Sequence, residues 1–182
     1  MSRIGLLGFI ILLAVASCTE KPQTNSKPLN IFPEEIVIIY SGSSTCPECN
    51  NEKLPDVLNE LITNFRSLGD SLNYGIRFIG VSNDVAVQPG YKHLNNVANF
   101  DEIAVGNGYL NTVLNKYFIQ NSKSNLSTAT PQILVLKRTY KNADGSSKSI
   151  DVFEISNEVE IQRVYGLKSI EFLSSFAKKI EF

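Results

Sequence analysis

The chain has 182 residues, enough for one domain of ordinary size with a sizeable buried core. Lys and Arg total 17 against 18 Asp and Glu, a net charge of −1. That balance excludes the charge excess by which a chain finds nucleic acid or an anionic surface, so no nucleic-acid partner is expected.

In chain order, Arg3 supplies a positive start and Ile4 to Val15 an apolar run of 12 residues. The run is too short to cross a bilayer, which takes roughly 20 residues, and suits a signal-peptide core over residues 1–17. It ends in Val15-Ala16-Ser17-Cys18, which resembles the lipobox of bacterial lipoproteins. The resemblance implies that cleavage leaves Cys18 as a lipid attachment point and holds the protein on the periplasmic side of a bacterial membrane. The alternative is an ordinary signal cut after Ala16, with Cys18 a plain thiol. Lipidation also accounts for the odd count of three cysteines, leaving Cys46 and Cys49 as one pair. Residues 18–34 carry Pro22, Pro28 and Pro33 among polar side chains and read as a tether. Residues 35–182 then form one domain.

Ile36 to Tyr40 is a β-branched run of the kind found in strands buried on both faces. A loop, Ser41 to Thr45, offers Ser44 or Thr45 as a helix N-cap. From Cys46 the period turns helical, with Leu54, Val57, Leu58, Leu61, Ile62, Phe65 and Leu68 on one face. Pro55 predicts a kink and Gly69 the helix end. Ile76 to Val81 is the next strand. A short helix at Tyr91–Ala98, a short strand at Ile103–Val105 and a helix with Tyr109, Leu110, Val113, Leu114, Tyr117 and Phe118 on one face follow. The polar loop 120–129 leads to Thr130-Pro131 and a buried strand, Ile133–Leu136. Asp144-Gly145 predicts a hairpin turn into a strand at Ser149–Ile155, and Leu167 to Ile180 form a terminal helix. The order predicts an α/β sheet with helices on both faces.

Cys46-Pro47-Glu48-Cys49 stands between the first strand and the long helix. A disulfide exchanger needs two sulfurs that bond and part with little backbone movement, and a helix start sets residues three apart on one side. Its amides and dipole would stabilise a thiolate on Cys46, the attacking group. Cys49, one turn further in, would resolve the mixed disulfide. The spacing alone leaves open an inert disulfide or half a zinc site, for which the chain adds only His93 and carboxylates. With Thr130-Pro131 included, the chain resembles the thioredoxin superfamily. That resemblance implies a mixed central sheet flanked by helices, with a small helix/strand insertion before the strand that follows a cis Pro131. It also implies that Thr130 pairs with substrate as an added strand.

Cys46-Pro-Glu-Cys49-Asn-Asn-Glu52-Lys-Leu-Pro55 resembles the membrane-tethered TlpA-type proteins, which include reductases of cytochrome c maturation. The resemblance implies that Glu52 moves protons for the buried thiol. Its plainer reading is a solvated glutamate near a helix start. It further implies a thiol–disulfide oxidoreductase with no cofactor, served by a membrane thiol electron donor. Its clients would be disulfide-containing exported proteins, apo-cytochrome c among them. Pro47 and Glu48 fill the dipeptide that tunes redox poise and meets substrate. Glu48 should repel a Cys46 thiolate, disfavour the reduced form and make the dithiol a reductant. Thr45 stands where the family usually has Trp, and Tyr40 where thioredoxin often has a buried acid, six residues before the nucleophile. His93 reads as a lone surface histidine. The competing reading is a copper site formed with both cysteines, making the chain a metal- or client-binding module.

Overall fold

The computed structural model describes residues 32–106, 110–120, 129–141 and 154–176. The signal peptide, Cys18, most of the tether and the Asp144-Gly145 turn lie outside them.

A five-stranded sheet runs in the order β3-β2-β1-β4-β5. Its centre is β1 (Glu34–Gly42), every residue of which after Glu34 is buried. A strand with helices over both faces has no polar side to show, and this produces the unbroken Ile-Val-Ile-Ile-Tyr run. β1 lies parallel to β2 (Gly75–Ser82), joined to it by the crossover helix α1 (Leu54–Leu72). β3 (Glu102–Ala104) extends the parallel side. β4 (Gln132–Tyr140) and β5 (Ile155–Tyr165) run antiparallel on the other.

Side chains alternate across the sheet, so two cores form. Ile36, Ile38, Tyr40, Phe78, Ile133 and Val135 pack under α1, α2 (Val87–Val97) and α4 (Leu167–Phe176). Val37, Ile39, Val81, Leu134 and Leu136 face the other way, against Leu114, Tyr117 and Phe118. Those three belong to one α-helical turn, α3 (Thr112–Leu114), that continues as a π-helical segment, Asn115–Gln120. This is a thioredoxin-like fold, with α2, β3 and α3 as the insertion before β4. No described helix is long and apolar enough to cross a membrane.

Three local expectations are corrected. The long helix begins at Leu54, not Cys46, so Pro55 sits in its first turn, where a missing N–H costs nothing, and makes no kink. The helix passes through Gly69 and ends at Asn73, whose φ of 58° is left-handed. A Cβ at Gly69 would stand 2.3 Å from Ile76 Cγ1; the glycine is there for close packing on β2. α2 starts at Val87, four residues earlier than its pattern suggested. A strand runs over Ile155–Tyr165; of the expected run at Ser149–Ile155, residues 149–153 lie outside the described residues.

Candidate functional site

The two cysteines sit where β1 leaves the sheet. Without a long helix at Cys46, the segment is a loop closed by one 3₁₀ turn, Glu48–Asn50. It is held from three sides. The Asn50 amide donates to the carbonyls of Ser44 and Cys46 at 2.8 and 3.0 Å. Asp84, just past β2, accepts from the Ser44 N–H at 3.0 Å and from the hydroxyls of Ser44, Ser43 and Ser82 at 2.6, 3.1 and 2.7 Å. Burial pushes the Asp84 carboxyl up, but the donors from Ser44, Ser82 and Ser43 outweigh it and hold it below the usual carboxylate range. Glu48 reaches across to α4, where its Oε2 accepts from the Leu167 N–H at 3.2 Å. The expected tuning residue is thus also the anion at a helix start.

Both cysteines are free thiols, Cys46 half-buried and Cys49 buried. The Cys46 Sγ donates to the Thr130 carbonyl at 3.2 Å and accepts from the Cys49 N–H at 3.2 Å. The Thr130–Pro131 bond is cis, and the half-buried Thr130 brings its carbonyl to the Cys46 sulfur while Pro131 is buried behind it. The fold therefore joins Cys46, Cys49, Thr130 and Pro131, with Pro47 and Glu48 exposed on the rim. Burial, followed by contact with the Cys46 sulfur, pushes the Cys49 thiol up to about 12. Contacts with the Ser43 backbone and the Thr130 side chain offset only part of that rise.

On the far side of Cys49 lies a cleft of about 390 Å³, lined by Cys49, Glu52, Pro55, Pro89, Lys92 and His93 among others. Glu52 is exposed and precedes α1, so it stands at the cleft's rim rather than on a helical face below Cys49. His93 is not a surface residue: it is 6% exposed. The early start of α2 puts Gly90, His93, Leu94 and Val97 on one buried face. Its Nε2 lies 3.1 Å from the Tyr40 hydroxyl. Burial holds the His93 imidazole below its usual value, against a smaller opposing pull from Asp84. Among the described residues, no group of three His, Cys, Asp or Glu side chains is disposed to hold a metal ion.

Asp84 and the Tyr40–His93 contact escape the sequence reading. The one available signal was Tyr40 at the position of thioredoxin's buried acid. Asp84 carried none, since nothing in Ser82-Asn83-Asp84 points to a loop forty residues upstream.

No family model matches the chain, and no curated protein is detectably similar to it. Among solved structures it is similar to BsSco, described as a member of the Sco family of cytochrome c oxidase assembly proteins with a disulfide switch. The identity is 13%, over 81% of this chain and 82% of that one, with a TM-score of 0.33. The fold assignment rests on strand order, strand direction and the meeting of dithiol and cis-proline.

Proposed function

We propose that this chain is a thiol–disulfide oxidoreductase that reduces disulfides in exported proteins, held by a lipid on Cys18 at the periplasmic face of a bacterial membrane. One observation carries the redox reading: a half-buried Cys46 beside the Thr130 carbonyl, with a buried Cys49 whose own N–H points at the Cys46 sulfur. An extended client segment pairing at Thr130 would bring its disulfide to Cys46. Cys46 attacks one client sulfur and forms a mixed disulfide, expelling the other as a thiolate. Cys49 then attacks Cys46, the internal disulfide forms, and the reduced client leaves. A membrane dithiol donor returns the pair to the reduced state.

The reducing direction is supported by how little stabilises a Cys46 thiolate among the described residues. The α1 N-terminus begins eight residues beyond it, and one backbone N–H, that of Cys49, donates to the sulfur. A poorly stabilised thiolate favours the oxidised form, so the dithiol gives up electrons readily. The membrane setting and the TlpA-type affinity are supported by the lipobox, the tether and the Cys46–Pro55 pattern.

The test is insulin reduction with a small dithiol as donor, together with a reduction potential measured against glutathione. Dithiol-dependent turnover lost in Cys46→Ala, with a potential near those of reducing thioredoxins (about −270 mV), is expected. No turnover, or a potential near −120 mV, would overturn the reductase reading.

A further inference from the structure

A glutamine buried among aliphatic side chains needs a reason, because an amide away from water is tolerated only when it is paired. Gln132 is 0% exposed. It follows directly on Pro131 and, by the alternation of the strand, shares a face of β4 with Leu134 and Leu136. In register it lies between Ser41 of β1 and Tyr165 of β5, at the end of the sheet that carries the dithiol. Its side chain turns back along the chain, and Nε2 donates to the Ala129 carbonyl at 2.7 Å. Behind the amide, Nη1 of Arg163 donates to Oε1 at 3.5 Å. Arg163 is itself fixed, donating to the Tyr117 carbonyl at 3.1 Å and to the two carboxylate oxygens of Glu160 at 3.0 and 2.9 Å.

The consequence appears at the shelf beside Cys46. Three successive carbonyls, those of Ala129, Thr130 and Pro131, are held in three different ways. The Gln132 amide holds the first, and the Gly166 N–H donates to the third at 2.8 Å. The middle one accepts from the Cys46 thiol at 3.2 Å. The outer two bonds belong to the fold and persist through the reaction. The middle bond ends when Cys46 loses its proton to attack, and the Thr130 carbonyl is then open to a new donor at an angle that its two neighbours set.

We propose that Gln132 is a positioning residue for the client: by holding the Ala129 carbonyl, it keeps the Thr130 carbonyl aimed at a backbone N–H of an extended client segment. This rests on the thiol-exchange reading above and adds what is recognised. The recognised group is the client's main chain beside its cysteine, so the clients are extended segments of varied sequence with free backbone N–H groups there. Gln132 touches neither the client nor a sulfur and acts through the shelf.

The test compares three disulfides of one coloured aromatic thiol, each mixed with reduced full-length protein. One is the symmetric aromatic disulfide. The second joins the aromatic thiol to a short cysteine peptide, and the third is the same peptide methylated on the backbone nitrogens flanking its cysteine. In each, Cys46 gives its proton to water and its sulfur attacks, the disulfide bond breaks, and the electron pair leaves on the coloured thiolate. Wild type is expected to react with the free peptide about tenfold faster than with the methylated one, the effect of one backbone hydrogen bond. In Gln132→Leu and Gln132→Met, which keep the volume and lose the amide, that preference should fall below about twofold. Their rates with the symmetric disulfide should stay within about twofold of wild type.

Circular dichroism checks that the variants fold. A wild type without the preference, or a preference kept in a folded variant, overturns the proposal. So does an equal fall in all three rates, which would make Gln132 a support of Cys46 and not of the shelf. Whatever the variants do, nuclear magnetic resonance of the wild type should show a coupling across the hydrogen bond from Gln132 Nε2 to the Ala129 carbonyl carbon, and its absence overturns the proposal. Because these probes need no protein client, the expected pattern in a chain that fails to reduce insulin would overturn the reductase reading alone.

Discussion

At the scale of single residues, the two sulfurs are made different by depth. Cys46 is half-buried and reaches the surface beside Thr130, while Cys49 is buried. Alkylation of the reduced protein at neutral pH should therefore label Cys46 first, and Cys49→Ser should accumulate mixed disulfides that nothing resolves. Peptide mass mapping that found Cys49 labelled first would reverse the roles. Depth also sets a pH dependence. Burial raises the Cys49 thiol to about 12, above its unfolded value of about 8.5. Between those values the unfolded chain has lost a proton that the folded chain keeps, so the reduced protein loses stability as pH rises through this window. The Tyr40 hydroxyl, raised first by burial and then by the nearby Cys49, adds to that loss at the upper end in either redox state. Urea titrations from pH 8 to 11 should show a steeper decline for reduced wild type than for reduced Cys49→Ala or the disulfide form. Parallel slopes would show that Cys49 is not held neutral by the fold.

At the scale of elements, the pattern of the chain names helices and strands but not where they stop. Leu54 to Leu68 gave the face of α1 correctly, since burial under a sheet demands that period. It did not give the start, because Cys46 to Lys53 is polar loop that a helical count can run through. Pro55 marks the first turn, and Gly69 marks close approach to Ile76 rather than a stop. The loop carrying the dithiol is instead defined from outside, by Asp84. Its carboxylate accepts four donors while only 8% exposed, so Asp84→Asn should leave several of them poorly matched. A cost of about 2–3 kcal/mol is expected. Since the folded Asp84 is held below its unfolded value, its contribution is present above about pH 4 and is lost as pH falls through the folded value. Wild type and Asp84→Asn should thus differ in denaturation midpoint at pH 7 and converge toward pH 2. An equal gap at both pH values would remove the carboxylate's charge from the account.

At the scale of the whole molecule, the proposed anchor decides where the chemistry is done. Cys18→Ser should release a soluble or uncleaved form on membrane fractionation, and a mutant still processed and membrane-bound would overturn the lipoprotein reading. Sequence by itself determined the fold class. Ile36–Tyr40 and Ile133–Leu136 are uniformly apolar, the mark of central strands covered on both faces, and one long amphipathic helix between the first of them and the strand at Ile76–Val81 makes a parallel crossover. It also singled out the candidate pair, two cysteines three apart directly after a buried strand. Tertiary structure alone decided what surrounds that pair. Thr130 lies 84 positions beyond Cys46, Asp84 lies 40 beyond Ser44, and His93 lies 53 beyond Tyr40. Contacts of that span leave no periodic mark, because each depends on a strand order and a helix start that only the packed sheet fixes. His93 shows the reason most plainly: the same residue is a surface histidine if α2 begins at Tyr91 and a buried neighbour of the dithiol if it begins at Val87, and burial of Gly90 and Leu94 against the sheet chooses between them.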